Sequence, residues 1–171
     1  MMRREDFLYE RSGVSRPWQF EDALRREFAR ARRYGSTFSL VFVALDHPDH
    51  LRDRLGPLEM GHLVRQLAEY VRRVTRVTDL IGHHNDATFS ALLPETELEP
   101  ATLVAERLRA MVEAEAQSDV GVRFPISVSI GVSTYRDDPT FGFEQLRYET
   151  EAALREAQRE GGNRTRAVRA A

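Results

Sequence analysis

The chain has 171 residues, a formal charge of −2, a hydrophobic fraction of 42% and no cysteine. That length suits one domain with a sizeable core. The near-neutral charge excludes a bulk electrostatic pull toward nucleic acid or anionic membrane, and the missing thiols exclude disulfide frameworks and thiolate metal sites.

All 25 basic residues are arginine, so no lysine amine is available for Schiff-base or phosphate chemistry. The opening "MMRREDFLYERSG" has no apolar signal-peptide core, and no window reaches the roughly 18 apolar residues of a membrane span. These features read as a cytoplasmic protein with no membrane insertion and no nucleic-acid partner.

In chain order, a short N-terminal segment (1–16) precedes a core over 17–168. Phe20, Leu24, Phe28 and Ala31 recur at helical spacing over 17–33, with Ser15 as the expected cap, Pro17 in the first turn and Gly35 as the stop. "TFSLVFVAL" (37–45) reads as a central strand. A second amphipathic helix is predicted over 58–76, with Leu63, Leu67, Val71 and Val74 on its apolar face.

"DLIGHHNDATFSALLPET" (79–96) has the outline of a hairpin: an apolar arm, a polar tip from His83 to Thr88, and a second apolar arm stopped by Pro94. A third helix over 97–114 is carried by Ala101, Val104, Leu108 and Met111. "PISVSIGVS" alternates strictly, which predicts a half-buried strand with Ile126, Val128, Ile130 and Val132 inward. A last helix over 143–160 stops at Gly161 and Gly162, and a short strand over 164–168 can follow. The order predicts one domain (1–171) with a mixed α/β (α+β) sandwich, its central mixed sheet containing an antiparallel hairpin and surrounded by helices.

Two clusters invite a metal reading: His47, Asp49 and His50, and His83, His84 and Asp86. Neither has the i, i+4 spacing of a zinc-binding helix, and neighbours on a strand point to opposite faces, so surface or packing histidines are the expectation.

The order of elements, together with "SGVSRPWQF", "LDHPDHLRDRLG", "RVTDLIGHHNDATFSALLP", "VSIGVS" and "ALREAQREGGNR", resembles the GGDEF family of diguanylate cyclases. The resemblance runs over nearly the whole chain and implies a GGDEF, nucleotidyl-cyclase-like fold. Members of that family are bacterial cytoplasmic enzymes that join two GTP molecules into cyclic di-GMP.

With Phe89 on the last residue of the signature, Asn85, Asp86, Ala87, Thr88 and Phe89 stand where the family has Gly-Gly-Asp-Glu-Phe. The family's magnesium carboxylates then fall on Ala87 and Ala44, with Asp46 left of the first-strand pair. The guanine-reading Asn and Asp fall on Arg52 and Gly61, and the phosphate-binding Lys and Arg on Gln158 and Gly162. The resemblance therefore implies a degenerate domain with no catalytic residue, no magnesium and no other cofactor, because phosphoryl transfer depends on that cation to orient and neutralise charge.

One family feature is intact. Arg76-Val77-Thr78-Asp79 is followed by five residues and then Asn85, which is the spacing of the inhibitory product site. A gapless count from the hairpin places the family's second arginine on Arg107. An arginine fork suits a guanine O6/N7 edge or a phosphate, and a carboxylate accepts from the N1 and N2 side of guanine. The same residues also allow a plain ion pair or helix-end cap.

Two functions stay open. One is a cyclic di-GMP receptor, built on Arg76, Asp79 and Arg107, that signals to a protein partner. The other is a nucleotide-independent interaction module, a possible homodimer, whose altered groove (Arg52, His83, His84, Asn85) is a remodelled surface. An active cyclase is the third and least expected.

Overall fold

In a computed structural model the described residues are 13–85, 87–118 and 126–168. They form six strands and four helices: β1 (Val14–Ser15), α1 (Pro17–Tyr34), β2 (Phe38–Leu45), α2 (Pro48–Val74), β3 (Leu80–Asn85), β4 (Thr88–Pro94), α3 (Leu98–Ser118), β5 (Val128–Thr134), α4 (Phe143–Arg159) and β6 (Thr165–Ala167).

The strands make one mixed sheet in the order β1-β3-β4-β2-β5-β6. β1 runs parallel to β3 and β6 parallel to β5, while β3, β4, β2 and β5 pair antiparallel in sequence across the middle. This is the sandwich that the pattern of elements predicts.

Two clusters fill its two faces. α1 and the start of α4 bury Phe20, Leu24, Phe28 and Leu146 against Phe38, Leu40 and Leu92. On the other face α2 and α3 cover Val41, Val43, Phe89, Leu93 and Ile130. Each of these side chains removed from water contributes about 1.5–3 kcal/mol, which outweighs any local propensity in fixing the layers.

Several expectations change at this level. The N-terminus of α1 is not capped by Ser15, which belongs to β1; the cap residue is Arg16, whose N–H donates to Gln19 Oε1 at 3.0 Å. α2 starts ten residues earlier than predicted. Its first segment breaks at Gly56, where φ is 74° and ψ 172°, and Pro57 opens the next segment at a position that needs no N–H. In α3 the buried stripe is Ala101, Ala105, Leu108 and Val112, so Val104 and Met111 lie at its margin.

The strand read as half-buried is buried on both faces. Its small residues face α4: a Cβ on Gly131 would stand 2.3 Å from the Thr150 carbonyl oxygen and 2.5 Å from the Leu154 nitrogen. Ser133 Oγ meets Thr150 Oγ1 at 2.5 Å. Smallness on that face therefore lets a helix backbone lie directly on the strand.

Candidate functional site

The hairpin is tighter than its sequence suggests. β3 continues through His83 and His84 to Asn85, β4 resumes at Thr88, and a bulge sits between His83 and Asn85. Asn85 Oδ1 accepts the Ala87 N–H at 3.0 Å, and the Ala87 carbonyl accepts the Leu45 N–H at 2.8 Å. The end of the hairpin is thus tied to the end of β2. Asp86 lies outside the described residues.

The two histidines leave the expected polar tip and lie within β3, His83 buried and His84 partly buried. His83 is buried with its ring 4.8 Å from Phe89, whereas His84 sits on the opposite face between Phe20 and Phe42, its Nε2 2.8 Å from Ser90 Oγ. The alternation of a strand keeps them from sharing an ion, as expected. Burial also removes His83 from any remodelled exterior surface, which corrects that part of the interaction-module reading, whereas His84 stays partly exposed.

Burial holds the His84 pKa below its ordinary value, helped by the charges of Arg147 and His83 and opposed by Glu21. The unfolded chain, titrating near pH 6.5, therefore takes a proton before the folded one. Stability is expected to be full above that pH and to fall as the pH drops below it. Urea unfolding at pH 7.5 and 5.5 checks this: His84→Gln should flatten the difference, and an unchanged slope would exclude His84 as the source.

At the neighbouring strand end, Ala44 is buried and pairs with Thr88 and Ser129 in the ladder. Asp46, 8% exposed, accepts three hydrogen bonds: Ser127 Oγ at 2.6 Å, Ser129 Oγ at 2.6 Å and the Asn163 N–H at 2.8 Å. Gly162 packs so closely that a Cβ would lie 2.8 Å from the carboxylate carbon, with φ already at +75°. Asn163 extends the tie to α3, accepting from Arg109 at 3.0 Å and donating to Glu113 at 2.8 Å.

The side chains here do not fit the magnesium pair that the resemblance implies. Ala44 and Ala87 offer no oxygen, and both oxygens of Asp46 are occupied by protein donors. Sequence reasoning missed this hub, and its only advance signals were the small hydroxyls Ser127 and Ser129 opposite the strand end and the "GGN" run.

The remaining positions are scattered. Arg52 is paired with Asp49 at 2.8 Å, Gly61 lies inside α2, Gln158 is exposed on α4, and Thr88 begins β4.

Arg76 and Asp79 are drawn together. α2 closes at Thr75, and 76–79 form the turn into β3, in which the Asp79 N–H donates to the Arg76 carbonyl at 3.1 Å. In return Asp79 Oδ2 accepts the Arg76 N–H at 2.6 Å. Asp79 Oδ1 is buried without a hydrogen-bond partner among the described residues. Burial raises the Asp79 pKa, against the opposing pull of the Arg76 amide and guanidinium.

Val77 at the turn is fully exposed, as is the Arg76 side chain to a large degree. Arg107 stands on the exposed side of α3 and forms no ion pair among the described residues. The turn thus offers one exposed guanidinium group and, among the described residues, one acceptor oxygen without a donor, while a second exposed guanidinium stands on α3.

Comparisons with known proteins agree with this architecture. The sequence model described as "Diguanylate cyclase, GGDEF domain" matches residues 15–164. Diguanylate cyclase DgcP of Pseudomonas aeruginosa is 28% identical over 153 residues, which is 90% of this chain but 22% of that protein. The chain therefore spans about a fifth of that relative.

Among solved structures, the coiled coil and GGDEF domain of DgcB from Caulobacter crescentus, in complex with c-di-GMP, superposes with a TM-score of 0.83 at 23% identity. That superposition covers 91% of this chain and 82% of the other. Diguanylate cyclase SiaD of Pseudomonas aeruginosa, solved with its activator SiaC, gives 0.82 at 26% identity, covering 92% and 60%. No helix among the described residues is long and apolar enough to cross a membrane.

Proposed function

Because the chain belongs to the GGDEF domain family, we propose that it is a catalytically inactive, cytoplasmic receptor for cyclic di-GMP that passes the signal to a protein partner. The observation that carries this reading is the Arg76–Asp79 turn, with one carboxylate oxygen committed to the Arg76 amide and the other buried without a donor among the described residues. A buried acceptor left unmatched costs about 1–3 kcal/mol, and a guanine N1–H or N2–H removes that cost on binding. Arg76 and Arg107 supply the cations for a guanine edge or a phosphate.

The cyclase activity named for the relatives is not carried over to this chain. Alanines at 44 and 87 and the three-fold occupied carboxylate of Asp46 argue for a domain that needs no magnesium and turns over no GTP.

Calorimetric titration with cyclic di-GMP, with GTP plus magnesium as the control, tests both halves. Saturable heat with cyclic di-GMP and none with GTP is expected. Heat with neither ligand would leave the interaction module as the reading, and cyclic di-GMP formed from GTP would overturn the claim of inactivity.

A further inference from the structure

Trp18 is 68% exposed, and it does not stand alone. On α1 it begins a ridge at i, i+4 spacing, Trp18-Asp22-Arg26-Arg30, that forms one wall of an open groove of about 510 Å³. The floor is apolar, provided by Leu80, Leu92 and Pro94 of the hairpin. The other flank of α1 is already taken by α4, through Glu21 to Arg147 at 3.3 Å and Arg25 to Glu144 at 3.6 Å. The ridge is therefore the side of α1 that none of the described elements covers.

Its order of charges says what fits there. Read from either end about the midpoint between Asp22 and Arg26, the ridge is self-complementary: an acid faces a base, and an aromatic ring faces a guanidinium. A two-fold axis through that midpoint sets Asp22 of one copy against Arg26 of the second, and Trp18 against Arg30. This is the i-to-j, j-to-i arrangement of an isologous interface.

Within one chain Arg26 and Asp22 already pair at 2.5 Å, with side chains 79% and 53% exposed. Two such pairs, antiparallel, make a closed square of alternating charge. Ridges at i±4 spacing also interdigitate readily between crossing helices.

We infer that this groove is the interface of a two-fold homodimer formed by α1 of two copies. Trp18 of each copy seats on Pro94 and Leu92 of the other, beside Arg30. Arg30 is held in place there, bonding Glu27 at 2.7 Å and Glu95 at 2.6 Å, so a planar cation is presented at the end of the groove nearest Pro94. An indole over a guanidinium and an apolar floor is the geometry in which both its ring and its area contribute. The dimer uses none of Arg76, Asp79 or Arg107 and requires no nucleotide, so it stands or falls independently of the receptor reading.

Sedimentation equilibrium of the full chain, without and with cyclic di-GMP, reads it directly. A dimer is expected in both. Arg26→Asp and Asp22→Arg each place two like-charge pairs across the axis and should weaken dimerisation about tenfold or more. The combined Asp22→Arg, Arg26→Asp variant restores opposite charges and should restore the dimer. Trp18→Ala should weaken it as well, and circular dichroism confirms that each variant is folded. A monomer at every concentration, a dimer only with nucleotide, or a dimer indifferent to the single reversals would each overturn the assignment.

Discussion

Arg76→Ala is expected to weaken cyclic di-GMP binding about a hundredfold, with the fold unchanged. The Arg76 side chain is exposed, and its structural contribution to the turn comes from its backbone N–H and carbonyl, which an alanine keeps. What the substitution removes is a charged, bidentate donor toward a ligand, worth about 3 kcal/mol where the partner group is left buried and unpaired. Each 1.4 kcal/mol is about tenfold in affinity.

Asp79→Asn separates binding from folding more sharply. An asparagine oxygen can still accept the Arg76 amide, so the turn survives, while the acceptor offered to guanine is replaced in part by a donor. The sign of the stability effect follows from the raised pKa of Asp79. At neutral pH the folded state holds a charge it disfavours relative to the unfolded chain, and that deficit disappears only as the pH falls through the carboxylate range. Asp79→Asn should therefore leave the melting temperature at pH 7 unchanged or slightly higher while binding is lost. Calorimetry and thermal melts on the same samples decide it, and full affinity in both variants would remove the site assignment.

The second large effect concerns stability. Asp46→Ala is expected to cost about 3 kcal/mol, because it strands the Ser127 and Ser129 hydroxyls and the Asn163 amide next to a void. The loss should spread along the "GGN" loop, whose Asn163 also ties in Arg109 and Glu113 of α3. Asp46→Asn keeps an acceptor and should cost less, about 1–2 kcal/mol.

Urea unfolding measures both, and added magnesium should stabilise neither the parent chain nor the variants. A magnesium-dependent rise in the parent that Asp46→Ala abolishes would mean that the carboxylate is a metal ligand after all. In that case the inactive reading fails.

The Asp46 hub also explains how alanine at 44 and at 87 is compatible with a well-formed strand end. An acid that gathers donors from β5 and from the loop before β6 holds three segments in register without a cation. The Leu45 N–H to Ala87 carbonyl bond fastens the hairpin beside it.

Local pattern was enough for most of the architecture. Phe20, Leu24, Phe28 and Ala31 declared the buried face of α1, Leu63, Leu67, Val71 and Val74 that of α2, and the apolar arms around residues 83–88 declared the hairpin. These are periodicities of 3.6 and 2, written within ten or twenty residues of sequence, and burial rewards them wherever the chain goes. The Arg76-to-Asn85 spacing was legible only through the resemblance to the GGDEF family, and it joins residues a few positions apart in one turn and strand. The placement of Arg76 and Asp79 in one hydrogen-bonded turn follows from that short reach.

Tertiary structure alone decided the rest, because the deciding contacts join residues far apart in the chain. Sequence alternation cannot say whether the small face of β5 meets water or a helix; the 2.3 Å clearance between a Gly131 Cβ and the Thr150 carbonyl does. It cannot say that His83 and His84 turn inward, because their partners Phe89, Phe20 and Phe42 come from other elements. Nor can it find Asp46 bound to Ser127, Ser129 and Asn163, or a groove made of one helix ridge and a hairpin floor. Backbone periodicity is a local property, whereas satisfaction of a buried polar group and complementarity of a surface exist only once distant segments have been brought together.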